Sequence, residues 1–315
     1  MRSLLTLLVV LVPLIKAQQQ QLTVGTPVLG FVVDAAHGAV RPLLGVPGSA
    51  VIAPASAVAP ALAVAASAQD IVVGVEAETG KAVLISPTGR SDLNLPAAPT
   101  RIAISPQARS AALYYPDAAK IRLVSGLPRN PRLAGEVDVP GDPSLMAVSD
   151  DGARVLAVLP GPDGDALWDC YMSGGTRIWK RAGHVTAIAF VPGSSKALLA
   201  ESEASSVSLL GDLGSGPEVI ADERDGITGV AAIAAFSDAS AAVIAMSDGR
   251  IAIRQKSDGR QIVVSCGCQP TELAALRGGA AFRMTSGIDA PTWILDAGGT
   301  EPRIVFAARS EGGAQ

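Results

Sequence analysis

One phrase recurs along the chain at a nearly constant interval. Ala103-Ile104-Ser105-Pro106-Gln107-Ala108 returns as Ala147-Val148-Ser149-Asp150-Asp151-Gly152. It returns again as Ala189-Phe190-Val191-Pro192-Gly193-Ser194 and as Ala235-Phe236-Ser237-Asp238-Ala239-Ser240. Each copy is an apolar stretch of strand type running into a turn of Ser, Pro, Asp or Gly. Such periodicity constrains the fold more than any single residue, because a repeat of this length is one unit of an array.

Two further markers carry the repeat along the rest of the chain. The first is a pair of apolar strands about a short turn: Val28–Leu44, Ile71–Ile85, Ala111–Val124, Val155–Cys170, Ala197–Leu210, Ala242–Ile253 and Ala280–Leu295. The residue following each turn falls at 39, 81, 120, 166, 206, 250 and 291, a mean step of 42. The second marker is a closing strand in the same phase: Ala50–Ala53, Asp92–Leu95, Leu133–Val137, Arg177–Lys180, Glu218–Ala221, Gln261–Val264 and Ile304–Ala307. No unit shows helical spacing over ten residues. Four short strands in about 42 residues make one blade of a β-propeller. The expectation is an all-β, seven-bladed propeller with about four antiparallel strands per blade. Leu22-Thr23-Val24 is the segment available as the innermost strand of blade 1, and blades 1 and 7 are expected to meet without exchanging a strand.

Residues 1–17 read as a secretory signal: Arg2, an apolar run Leu4–Ile15 and a cleavage point after Ala17. An uncleaved N-terminal anchor is the alternative. No Cys follows the run, so a lipid anchor is disfavoured. Removing residues 1–17 leaves 298 of 315, close to seven units of 42. Residues 18–315 are read as one propeller domain, monomeric, secreted or periplasmic, with no membrane span in the mature chain. Three cysteines are too few for a disulfide framework, so the core must hold the fold. Aromatic residues are only 3% of the chain while apolar residues reach 49%, so that core is built from Ala, Val, Ile and Leu. A net charge of −4 argues against nucleic acid as a partner.

The recurring phrases resemble the strand-turn signature of bacterial WD40-like and YVTN-type propellers. The resemblance covers most of residues 22–310 and implies fold rather than activity. The Gly-His and Trp-Asp pairs of true WD40 blades do not recur; Trp168-Asp169 occurs once, on a third strand. By that resemblance, the face formed by the second-to-third-strand turns and the blade-to-blade loops is the binding face.

Charge sorts unevenly between the two faces. The binding face holds 14 acids against 5 bases, and the opposite face 11 bases against 8 acids. The candidate binding residues are Asp222, Glu223 and Asp225, then Glu201 and Glu203, with His184. Asp222, Glu223 and Asp225 form the densest acidic loop, with Arg224 as its only internal counter-charge. Crowded carboxylates favour a basic partner or a divalent cation; acids placed only for turn geometry are the plainer explanation. His37 and His184 lie on this face in blades 1 and 4. Cys266-Gly267-Cys268 lies in a blade-to-blade loop on the same face and is open to a local disulfide, free thiols or a soft metal. Cys170 is expected buried and inert.

No catalytic motif emerges. The leading functional expectation is a non-catalytic exported scaffold that binds a protein, peptide or carbohydrate with its channel-mouth loops and carries no cofactor. The alternative is a propeller hydrolase, lactonase or lyase with an acidic, metal-assisted mouth. The two separate on convergence, since an enzyme needs several carboxylate or His side chains turned into one mouth.

Overall fold

The computed structural model describes residues 26–310, apart from 35–36, 56–58, 174, 181–182, 212–215 and 287–290. Leu22–Val24 and residues 1–17, read from the sequence as a secretory signal, lie outside the described residues. Blade 1 consists of β1 (Val28–Asp34), β2 (Ala39–Leu44) and β3 (Val51–Ile52). Blade 2 follows as β4 (Leu62–Ala68), β5 (Ile71–Glu76), β6 (Ala82–Ser86) and β7 (Gly89–Asp92). Blade 3 is β8 (Arg101–Ile104), β9 (Ser110–Tyr115), β10 (Lys120–Ser125) and β11 (Arg132–Asp138). Blade 4 is β12 (Leu145–Val148), β13 (Arg154–Leu159), β14 (Ala166–Tyr171) and β15 (Thr176–Lys180). Blade 5 is β16 (Val185–Phe190), β17 (Ala197–Glu201), β18 (Ser206–Leu210) and β19 (Glu218–Ala221). Blade 6 is β20 (Val230–Ala235), β21 (Ala241–Met246), β22 (Arg250–Gln255) and β23 (Gln261–Ser265). Blade 7 is β24 (Ala274–Ala275), β25 (Ala281–Arg283), β26 (Thr292–Asp296) and β27 (Arg303–Arg309). Each blade is an antiparallel meander in chain order, so the protein is a seven-bladed β-propeller.

The packing follows from the strand sequences. Second and third strands are apolar on both faces, as in Ile71–Glu76 and Ala241–Met246, every residue of which is buried. A sheet apolar on both faces needs a neighbour on each side, and a ring supplies it. The core accordingly divides into seven clusters, one per blade interface. One joins Ile71, Val73 and Leu84 to Ala111, Leu113 and Tyr115. The last joins Phe31 and Val40 of blade 1 to Leu62, Val72 and Val83 of blade 2. Fourth strands are largely exposed, as in Arg132–Asp138, and carry exposed apolar side chains such as Leu133, Ile178, Val219, Val263 and Phe306 beside their polar ones.

Blade 1 departs from the repeat. Among the described residues it has no inner strand, and the edge of β1 that would receive one is used by neighbours. Arg277 N donates to Leu29 O at 2.8 Å, and the Arg283 guanidinium and Ser67 hydroxyl both donate to Phe31 O. Gln69 N of blade 2 donates to Ala275 O of blade 7 at 2.6 Å, passing in front of blade 1. Gly30 is required there: a Cβ would stand 2.6 Å from the Leu276 side chain and 3.0 Å from Gln69 O. The ring closes outside as well. Ala308 and Arg309 pair in parallel with Val51 and Ile52, and Ser310 N donates to Ile52 O at 3.0 Å. Blades 1 and 7 are thus hydrogen-bonded at their outer strands rather than merely packed.

The closing strand expected at Asp92–Leu95 begins earlier, at Gly89. Ser86 pairs with Gly89 across a tight turn, and Gly89 takes φ +131°, which glycine adopts without a side-chain penalty.

Candidate functional site

The first strands of blades 2 to 7 line a central cavity of about 310 Å³. Its walls are mostly Ala, Val, Ile, Leu, Met and Phe, including Ala187, Ile188, Ile233 and Phe282, with the hydroxyl residues Ser67, Thr186 and Thr271 among them. Glu272 is the one ionisable side chain among the lining residues, and blade 1 contributes none. A second recess, also about 310 Å³, lies beside Thr100, Arg101 and Ser144 and shares Leu145 and Met146 with the first.

The two ends of the cavity differ. At the end formed by the first-to-second-strand turns, the chain bonds across the axis. Asp150 is buried, and its two carboxylate oxygens accept from Gln107 N in blade 3 and Gly193 N in blade 5, both at 2.8 Å. Gln107 Nε2 donates to Ser237 O in blade 6 at 3.4 Å, and Ser237 N donates to Gly279 O in blade 7 at 3.0 Å. Gln69 Nε2 donates to Pro106 O at 3.2 Å, adding blade 2. These turns make a floor. The repeated Ser-Asp or Ser-Pro turn was legible in the sequence, but its cross-ring partners were not.

The opposite end carries the predicted binding residues. His184 and the turn of blade 5 come together: Ser202 N donates to His184 O at 2.9 Å, which brings Glu201 and Glu203 beside His184. Asp165, buried at 5% exposure, lies beneath them. One of its oxygens is 3.2 Å from His184 Nδ1 and the other accepts from Val185 N at 2.8 Å. His37 pairs separately with buried Asp34 at 3.0 Å, so the two histidines serve different blades.

Asp222, Glu223 and Asp225 form a capped turn. Asp222 accepts from Arg224 N at 2.8 Å, and the Asp225 carboxylate accepts from Asp222 N at 3.2 Å. The main counter-charge of Asp225 comes from the next blade, where Arg254 Nη1 donates to it at 2.9 Å. Local sequence pointed to Arg224; the side-by-side order β20-β21-β22 in blade 6 brings Arg254 instead. Other acids of this face are engaged likewise. Glu76 bonds Thr79 and Arg90, and Asp248 pairs with Arg250 at 2.7 Å. Asp142 accepts two bonds from Arg101 at 2.8 and 3.0 Å, and the guanidinium holds its carboxyl below the usual carboxylate range. Among the described residues, no three His, Cys, Asp or Glu side chains gather as a metal-holding group.

Glu272 and Arg283 were missed from sequence. Arg283 is buried and donates from Nε to Glu272 Oε1 at 2.7 Å. Glu272 stands two residues before β24, a spacing that could have flagged it as facing the channel. The Trp168-Asp169 pair proves structural. Asp169 is 1% exposed and receives two bonds from buried Arg154, at 2.7 and 2.8 Å. Arg154 also donates to Ser195 O and Gly211 O, so it ties blade 4 to blade 5. Cys266 and Cys268 are joined in a disulfide, and Cys170 is buried with its thiol pushed up by burial.

No family model matches the chain, and no curated protein matches it. Solved structures do. A functionally unknown protein from Desulfotomaculum acetoxidans DSM 771 is similar at a TM-score of 0.60 and 12% identity, over 90% of this chain and 100% of that one. The β-propeller domain of Cps50 (Swd1) from Myceliophteria thermophila is similar at 0.53 and 12% identity, over 75% of this chain and 83% of that one. A chain of a nidogen/laminin complex is similar at 0.53 and 13% identity, over 76% and 93%. At such identities the likeness carries the propeller fold alone. Among the described residues no helix is long and apolar enough to cross a membrane.

Proposed function

We propose that this chain is an exported, non-catalytic propeller of the WD40-like or YVTN type. It binds a protein or peptide across the open end of its ring. The observation that carries this reading is how the acids and histidines at that end are used. Asp34, Asp165, Asp225, Asp248 and Asp142 are each engaged with a nearby base or backbone donor, and Glu272 alone reaches an otherwise apolar cavity already bonded to Arg283. Catalysis by carboxylates needs several groups turned on one reacting atom. An apolar recess rimmed by bonded polar groups is instead the anatomy of a binding surface. Glu201, Glu203, Glu223 and the Asp222–Asp225 turn supply a rim for a basic segment of the partner.

The test compares the protein with its Asp222→Asn/Glu223→Gln/Asp225→Asn variant and with Glu272→Gln. A partner captured from envelope extract should be released by salt, weakened by Glu223→Gln alone with the melt unchanged, and lost from the triple variant, whose melt falls somewhat because Asp222 and Asp225 cap the turn and Asp225 pairs with Arg254. Turnover of a lactone or ester panel that Glu272→Gln abolishes would establish the hydrolase alternative instead. Mature protein from the native host should begin near Gln18; an intact Met1 in soluble cytoplasmic protein would remove the export part of the reading. A melt raised by millimolar calcium would add a divalent cation to the acidic rim.

A further inference from the structure

The loop leading from blade 6 into blade 7 carries the disulfide between Cys266 and Cys268. Its ends are two residues apart, with Cα atoms at 5.1 Å, so it ties no strand to another and no blade to its neighbour. In the chain-entropy account, the stabilisation a cross-link adds grows with the loop it closes, and this loop is minimal.

The position of the segment is set by backbone contacts instead. Cys266 N donates to Gly249 O at 3.0 Å. A Cβ on Gly249 would stand 2.7 Å from Cys266 O and 2.8 Å from Cys268 O, so the blade 6 turn lies flush against both carbonyls. Gly249 itself takes φ +89° to do so. The sulfur–sulfur bond is additional to this backbone anchoring.

Two further features suit exchange. The loop is open on one side: Gly267 is exposed, a Cβ there would meet nothing within 4 Å, and both cysteines are half-buried, packed on the edge of the core between blades 6 and 7. Its two sulfurs also differ. Cys268 N–H points at Cys266 Sγ from 3.3 Å, while Cys268 O stands 3.4 Å from the same sulfur; the N–H can donate to a Cys266 thiolate once the bond opens, a donor that no contact among the described residues gives Cys268 Sγ, and this makes Cys266 the leaving group of the exchange. Cys170 sits buried in β14 of blade 4 and takes no part.

We infer that Cys266–Cys268 is a thiol–disulfide exchange site acting on the thiols of a peptide or protein, independently of the binding reading above. A partner thiolate attacks Cys268 Sγ. A new sulfur–sulfur bond forms between the partner and Cys268, the Cys266–Cys268 bond breaks, and its electron pair leaves on Cys266 Sγ. A second partner thiolate then attacks the partner sulfur of the mixed disulfide and releases Cys268 as thiolate. The partner is oxidised by two electrons to a disulfide, and this chain is reduced to the dithiol. The reverse sequence, with a disulfide as oxidant, restores the pair.

The test uses the full chain with reduced and oxidised glutathione as the probe. In millimolar reduced glutathione and without denaturant, two thiols per chain should become open to alkylation, with the melting temperature moved by less than about 2 °C. Limiting iodoacetamide at neutral pH should label Cys266 several-fold faster than Cys268. Cys266→Ser with oxidised glutathione should hold one glutathione on Cys268, and Cys266→Ser/Cys268→Ser should keep the melt and lose all exchange. A pair that stays oxidised until the protein melts would overturn the inference. So would a melt lowered by more than about 5 °C on reduction, which would make the bond a structural staple.

Discussion

At one end of the ring the turns bond to one another across the axis; at the other, the acids bond to bases, backbone and hydroxyls around the rim. Asp150 and Asp165 show the contrast between two buried aspartates of the same blade. Asp150 joins blade 3 to blade 5 through two backbone N–H groups. Asp165 holds His184 and Val185 N in the loop entering blade 5. The first arrangement fixes blades 3, 4 and 5 relative to one another. The second steadies a rim and leaves the His184 side chain largely exposed.

The comparison is broken most severely by Asp169→Ala. It removes the carboxylate facing Arg154, whose side chain is 2% exposed and has no water to turn to. An uncompensated buried charge should cost about 3–5 kcal/mol, read as a lowered denaturant midpoint. A loss under about 1 kcal/mol would mean that the carbonyls of Ser195 and Gly211 suffice for Arg154.

Asp150→Ala comes next. Two backbone donors lose a charged acceptor at the channel floor, at a cost of about 2–3 kcal/mol. Hydrogen exchange should rise first at Gln107 and Gly193, while the rim amides at Val185 and Asp222 stay as protected as before. Equal loosening at both ends would erase the distinction between floor and rim.

The smallest effect is expected at the rim. Arg101 and Asp142 are bonded but exposed, so Asp142→Asn should cost less than about 1 kcal/mol. Asp142 titrates below its ordinary value in the folded state because Arg101 bonds it. Its contribution is therefore full at neutral pH and is lost as pH falls through that lowered value, below about pH 4. Asp142→Asn should flatten that part of the acid-stability curve and leave neutral stability almost unchanged.

Much of the fold was legible because a blade is local. Its four strands are consecutive, their turns carry Gly, Asp and Ser, and their spacing repeats at 42 residues, so the Glu218–Ala221 closing strand falls as expected. The rim acids were legible as a set for the same reason: connectivity alone assigns each loop to a face. Their partners were not. Arg254 lies 29 residues from Asp225 and Arg90 lies 14 from Glu76, and only the side-by-side pairing of strands joins them. Blade 1 was the least legible, because among the described residues neighbouring blades bond to its inner edge.

The sequence by itself determined the number of blades, their strand order, the apolar channel and the face on which each loop lies. These follow from hydrophobic period and turn chemistry, which act over a few residues. Tertiary structure decided that Gln107 reaches blade 6 to floor the channel, that Arg283 and Arg277 cap β1, and that Gly249 seats the Cys266–Cys268 loop. Those contacts depend on closing a ring whose ends lie more than 250 residues apart in sequence, as Ser310 and Ile52 do. No local pattern encodes which atoms meet when the last blade arrives beside the first.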